Sequence, residues 1–297
     1  MFGGYITVCN VNLVVTQDCN LNCKYCFREK TKRNTFNFES AVDLLDAISK
    51  VTTIDACTIT GGEPLLYKNM ESLLDYISTI TSTICLLTNG TFVDSNCISL
   101  FEKYHVRLHV TLDSISTNYH EQNRGEQQLI INNIKKLSGN PKIHGSLYMV
   151  LSHQNYGELR RIQQFALEIG WDFDYGILAC EATNSLSWHN ACPEDRKHAL
   201  SMIEKYTLRN KRDELKLKLF EVLCNGVEIT NINCLFAKNN IVLFPDGSVR
   251  ICYNNPEYYM GNYYEDDPEV IISNLKAFRA ISRKCNQFSA NCFGVFL

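Results

Sequence analysis

The sequence lacks a surplus of charge of either sign: 29 Lys and Arg stand against 32 Asp and Glu, a formal net charge of −3. That balance excludes binding dominated by attraction to polyanions, so DNA is not an expected partner, although a local basic groove remains compatible with it. Long apolar runs are also missing. The opening residues MFGGYITVCNVN carry neither a basic segment nor a continuous apolar core, and no later stretch reaches the roughly eighteen apolar residues of a membrane span. The expectation is a cytoplasmic protein with no membrane association. Low-complexity tracts and long linkers are absent too. Cysteine, by contrast, is abundant: 14 in 297 residues. Without an export signal those thiols are expected to stay reduced, which makes iron–sulfur or zinc ligation their natural use rather than a disulfide framework.

The length admits one large domain or a main domain with a small attachment, and 45% hydrophobic residues supply a sizeable core. Six apolar, β-rich runs, at 11–16, 54–60, 83–88, 106–112, 143–151 and 172–178, alternate with helical stripes. Three stripes are Ala41, Leu44, Leu45 and Ile48; Met70, Leu73, Leu74 and Ile77; and Leu159, Ile162, Ala166 and Ile169. Recurrence at three and four residues buries one face of each helix, and the alternation predicts parallel strands joined by crossover helices. Six such units fit an open sheet or an incomplete barrel, and both place ligand sites at the C-terminal strand ends. From about residue 190 the rhythm changes. Pro193 opens a polar helix running towards Lys216, and IVLFPDGSVRIC reads as a hairpin turning at Asp246-Gly247. The EDDPE segment at 265–269 reads as a solvated loop, with Pro268 opening a short helix.

Immediately beyond the first strand stands Cys19-Asn20-Leu21-Asn22-Cys23-Lys24-Tyr25-Cys26-Phe27. Thiolates at this spacing suit three irons of a [4Fe–4S] cube, with the fourth iron open to another ligand. A zinc knuckle with a distant fourth ligand, a redox pair of Cys23 and Cys26, and ordinary buried thiols are the other readings of the spacing.

That group, with Gly61-Gly62-Glu63-Pro64 at the end of the second strand and Thr88-Asn89-Gly90 at the end of the third, resembles the radical S-adenosylmethionine superfamily. The resemblance covers about residues 10–180 and implies an α/β fold, an incomplete (β/α)6 barrel with a small C-terminal hairpin-containing region. It implies that Cys19, Cys23 and Cys26 ligate the cluster and that S-adenosylmethionine occupies the open iron. Gly61, Gly62 and Glu63 would bind the methionine amino group, the glycines allowing close approach and Glu63 accepting from the ammonium. Asn89 would lie beside the cofactor, and Tyr25 and Phe27 would contact adenine. Asp113 in TLDS resembles an element of the peptide-modifying branch and would line the site or cap a turn, with Ser146 and Arg124 as ribose and carboxylate contacts unless Arg124 is a solvated loop charge. The implied chemistry is reductive cleavage to a 5′-deoxyadenosyl radical that abstracts a substrate hydrogen. The electron would come from an external one-electron reductant such as flavodoxin or ferredoxin.

A second cysteine set follows. Twelve residues separate Cys234 from Gly247 and four separate Gly247 from Cys252, which resembles the opening of a SPASM or shorter twitch extension. Cys234, Cys252, Cys285 and Cys292 would complete one auxiliary [4Fe–4S] cluster, with Cys224 as substitute for the fourth ligand. Two auxiliary clusters would need more cysteines than this chain offers. The implied domains are a barrel over 1–190, a helical connection over 191–230 and the auxiliary region over 231–297. Cys57, Cys85 and Cys97 read as core, and His105, His109 and His144 as core or rim residues. Cys180, past the sixth strand, reads as a buried thiol or as a hydrogen-atom donor, with Cys192 and Cys224 as alternatives for the latter role. The tyrosines around Gly261 suit either a peptide groove or packing of the small region.

The branch resembled modifies ribosomally made peptides, giving a crosslink or an epimerised residue; dehydrogenation of a small alcohol or sugar is the alternative. Only about ten residues precede the first strand, so the peptide is expected to dock on the barrel, the C-terminal region or a separate leader-recognition protein.

Overall fold

The computed structural model describes residues 9–26, 28, 34–178, 183–207, 214, 216–217, 220–221, 239–253 and 255–280. Six parallel strands, β1 (Cys9–Thr16), β2 (Ile54–Gly61), β3 (Ile84–Thr88), β4 (Arg107–Thr111), β5 (His144–Leu151) and β6 (Asp172–Ile177), match the six apolar runs. Between them lie α1 (Phe38–Val51), α2 (Met70–Ile80), α3 (Ser95–Lys103), α4 (Thr117–Asn123), α5 (Gln127–Ser138) and α6 (Leu159–Glu168). The stripes bury as the periodicity requires: Ala41, Leu44, Leu45 and Ile48 on α1, and Met70, Leu73, Leu74 and Ile77 on α2. Asn37 and Asp94 cap α1 and α3 by accepting from Ser40 N and Cys97 N, satisfying first-turn donors.

The strand order runs β6-β5-β4-β3-β2-β1 without reversal. Right-handed crossovers between successive neighbours put every helix on one face, which selects the partial barrel over a doubly wound sheet. Alternation then divides the residues. Val11, Leu13, Val15, Ile59, Leu108, Val110, Leu147 and Met149 are buried in the apolar layer. Asn12 pairs across with Thr58, Thr111 with Tyr148, and Tyr148 with Asp174, so the opposite face is largely polar.

After α7 (Pro193–Thr207), the hairpin strands β7 (Asn240–Leu243) and β8 (Ser248–Arg250) and the strand β9 (Tyr259–Asn262) continue the same sheet. β7 lies parallel to β1 on the side away from β2, and β8 and β9 follow antiparallel. Asn12 Nδ2 joins the two segments by donating to Asn240 Oδ1 at 3.0 Å and to the Ile241 carbonyl at 3.2 Å. The turn is the one expected: Gly247 has φ +85°, and Ser248 N donates to Asp246 Oδ1 at 3.0 Å. The EDDPE segment is the exposed loop expected, leading into a helix at Pro268. Asp266 Oδ2 accepts from Asn262 N at 2.7 Å, and Asp267 Oδ1 accepts from Glu269 N at the start of α8 (Pro268–Ala280). Tyr263 packs on Phe36 and Tyr264, and Tyr258 on Phe278, so packing accounts for these rings, while Tyr259 and Tyr264 stay exposed. Among the described residues, no helix is long and apolar enough to cross a membrane.

Candidate active site at the C-terminal strand ends

The cysteine loop leaves β1 at Thr16 and is held from below by the turn that ends β2. Gly62 N donates to the Thr16 carbonyl and Glu63 N to the Asp18 carbonyl, each at 2.7 Å. This contact explains both glycines. A Cβ on Gly61, where φ is +150°, would stand 2.4 Å from the Thr16 oxygen, and one on Gly62 would stand 2.1 Å from the Asp18 oxygen. The close approach they permit is therefore to the chain's own cysteine loop.

Glu63 is fully buried. Its Oε1 accepts from Thr88 Oγ1 at 2.7 Å and Leu65 N at 3.1 Å, and its Oε2 accepts from Asn89 N at 2.7 Å. Burial raises the carboxyl above its ordinary value, against the lowering effect of these donors. One carboxylate thereby ties the GGEP turn to the TNG turn. Asn89 continues the link. Its Nδ2 donates to Asn20 Oδ1 at 2.9 Å and points to Cys19 Sγ at 3.8 Å, and Leu21 N donates to the same sulfur at 3.4 Å.

On the other side of the loop stand Tyr25, Asp113 and Arg124. The Tyr25 hydroxyl donates to Asp113 Oδ2, Arg124 Nη1 donates to the Tyr25 oxygen at 2.6 Å, and Arg124 Nη1 lies 3.5 Å from Asp113 Oδ2. Asp113 Oδ1 accepts from Val150 N at 2.9 Å, which anchors the group to β5. Burial pushes the Tyr25 phenol well up, against the pull of Arg124, so it remains a donor. Lys24 N donates to the Asn123 carbonyl and Asn184 Nδ2 to the Lys24 carbonyl, both at 3.0 Å. Tyr25, Asp113 and Arg124 come from separate loops, so no local motif signals their mutual bonding.

The three thiols fit a metal–sulfur group. Three thiols at this spacing are the donor type that an iron–sulfur cube takes; burial raises the Cys23 thiol, Arg124 lowers it, and Asp113, Cys26 and Cys19 raise it further. Among the described residues no three His, Cys, Asp or Glu side chains converge on a single ion. A cube asks something different, since each cysteine holds its own iron.

Other expected site residues lie elsewhere. Ser146 sits near the start of β5, hydrogen-bonded to His109 Nδ1 at 2.7 Å, five residues and roughly 16 Å of strand below the C-terminal end. Cys192 is exposed and caps α7: it accepts from Asp195 N at 3.4 Å and donates to Asp195 Oδ2 at 3.2 Å. Cys252 is buried just beyond β8, Cys57 is core, and Cys85 and Cys97 are half-buried. Phe27, Cys180, Cys224, Cys234, Cys285 and Cys292 lie outside the described residues.

Known proteins are similar to this chain in sequence and in fold. AlbA of Bacillus subtilis, described as an antilisterial bacteriocin subtilosin biosynthesis protein, is 25% identical across 94% of this chain and 62% of its own length. A GTP 3′,8-cyclase of Pelotomaculum thermopropionicum is 32% identical over 39% of this chain and 38% of its own. The chain thus spans less than two thirds of these curated relatives. In fold it is similar to Streptococcus suis SuiB, with a TM-score of 0.70 at 14% identity over 93% of this chain and 68% of that one. It is similar also to anSMEcpe with bound AdoMet and Kp18Cys peptide, at 0.66 and 16% over 92% and 82%. The model of the Radical SAM superfamily matches residues 13–166, more than half of the sequence, and the chain belongs to that superfamily.

Proposed function

We propose that this protein is a radical S-adenosylmethionine enzyme that modifies a ribosomally made peptide, giving a crosslink or an epimerised residue. The observation that carries the reading is the convergence of the three-cysteine loop, the GGE turn and the TNG turn at the ends of β1, β2 and β3. The likeness to AlbA across 94% of the chain supports the peptide as substrate class.

When bound, a [4Fe–4S] cluster and S-adenosylmethionine would supply radical chemistry started by one-electron reductive cleavage. Cys19, Cys23 and Cys26 would hold three irons. The Gly61–Gly62 backbone seats the loop that carries them, and Glu63 joins that seat to Asn89. Tyr25, fixed by Asp113 and Arg124, would contact adenine. Phe27, next to Cys26 in the sequence, would have the same role. The polar face of β4 to β6 receives the substrate. Cys234, Cys252, Cys285 and Cys292 would hold one auxiliary [4Fe–4S] cluster, with Cys224 as substitute. The peptide would dock on the barrel, on the C-terminal region or on a separate leader-recognition protein, and flavodoxin or ferredoxin would supply the electron. Epimerisation would use Cys180, Cys192 or Cys224 as hydrogen-atom donor.

The test is anaerobic reconstitution of the intact chain and of a variant with Cys19, Cys23 and Cys26 all changed to Ala. Expected are about eight irons with S-adenosylmethionine cleavage in the first and about four irons without cleavage in the second. Equal iron in both overturns the assignment of the loop. Cleavage stimulated by a small alcohol and not by a peptide would favour the dehydrogenase reading instead.

A further inference from the structure

We propose that Asn89 is a positioning residue that sets the hydrogen bonding of the Cys19 sulfur and, through it, the reduction potential of the cluster on this loop. The inference rests on the cluster reading above.

The orientation of the amide is determined by its neighbours. Asn89 Oδ1 accepts from Thr91 N at 2.9 Å and from Thr91 Oγ1 at 2.6 Å. A backbone N–H can only donate, so the oxygen must face Thr91 and the NH2 must face the other way. That direction holds Asn20 Oδ1 at 2.9 Å and Cys19 Sγ at 3.8 Å, one acceptor for each hydrogen. Asn89 is 5% exposed, and its own N–H is committed to Glu63 Oε2 at 2.7 Å. Asn20 is tied back in turn, its Nδ2 donating to Thr91 Oγ1 at 2.9 Å. The side chain therefore has neither solvent nor a second rotamer to turn towards without breaking this circuit.

An N–H aimed at a ligating sulfur draws charge from it. That stabilises the reduced, more negative cluster over the oxidised one, and hydrogen bonds to sulfur are among the terms that set cluster potentials. With Leu21 N at 3.4 Å from the same atom, Cys19 receives N–H groups from two directions. Glu63 acquires a second task on this account, since it holds the backbone of the residue that holds the sulfur.

The experiment is a redox titration of the reconstituted full chain, following the electron paramagnetic resonance component that shifts on adding S-adenosylmethionine, which isolates this cluster from an auxiliary one. Asn89→Ala, with iron content retained, is expected to lower the midpoint so that about tenfold less cluster is reduced at a fixed potential, equivalent to about 59 mV. Asn89→Gln keeps an amide donor on a longer stem and is expected to recover part of the shift. Should Asn89→Ala lose iron, retention of iron and of a near-native midpoint by Asn89→Gln also supports the role. A wild-type midpoint in Asn89→Ala overturns the proposal, and loss of iron from both variants overturns it by making Asn89 a folding residue. An intact chain that takes up no iron fails the cluster reading itself, and this inference falls with it.

Discussion

His120, on α4, is fully buried, and burial pushes its imidazole down to about 4 from an ordinary 6.5, with Asp113 and Arg124 acting in opposite directions on it. The folded state therefore holds the neutral ring. Its contribution to stability is fully present above the unfolded value and is lost as pH falls through about 4. Urea unfolding should show a loss on the order of 3 kcal/mol from this group across that window, and His120→Leu should flatten that part of the profile. Gly62 offers a second test. With a Cβ only 2.1 Å from the Asp18 oxygen, Gly62→Ala should cost about 1–3 kcal/mol and displace the cysteine loop, read as lost iron uptake beside a modest fall in thermal midpoint. The glycine pair was legible as a site for close approach. What approaches was not, because the reach from residue 62 back to Asp18 exists only once β1 and β2 lie side by side.

At the scale of elements, the strands and helices were largely readable because period-two and period-3.6 apolar patterns are local. The loops that join them carry the site, and they are held by long-range polar contacts with no local signature. Tyr25, Asp113 and Arg124 are 88 and 99 residues apart along the chain in the two pairs that bond. Ser146 shows the limit of strand reasoning: alternation gives the face of a residue, whereas its height depends on where the strand ends. Asn155 was not singled out by any motif. It is buried, donating to the carbonyls of Asp113 and Val150, each at 2.9 Å, and accepting from Ser152 N at 2.7 Å, so it clamps the ends of β4 and β5 under the site. Asn155→Ala leaves these buried groups unsatisfied and should cost about 1–3 kcal/mol in a denaturant titration. A loss below about 0.5 kcal/mol would contradict the clamp.

For the whole molecule, the consequential feature is that β7 extends the sheet beside β1 instead of standing in a detached module. Val11, Leu13 and Val15 of β1 are fully buried, and Ile271, Ile272 and Leu275 of α8 add to the same core. A chain stopped at residue 238 would expose the β1 edge, and an uncovered apolar edge invites pairing between copies. Such a truncation should be recovered largely in the insoluble fraction, and a soluble monomer would show that β7 to β9 are dispensable to the barrel. The sequence by itself determined the alternation of strands and helices, the hairpin at Asp246-Gly247 and the three-cysteine loop, because each is written in residues close together. Only tertiary structure decided which way the helices lie, that Glu63 and Asn89 form one circuit with Cys19, and that β7 closes on β1. These depend on crossover handedness and on contacts across tens to hundreds of residues, which no local pattern encodes.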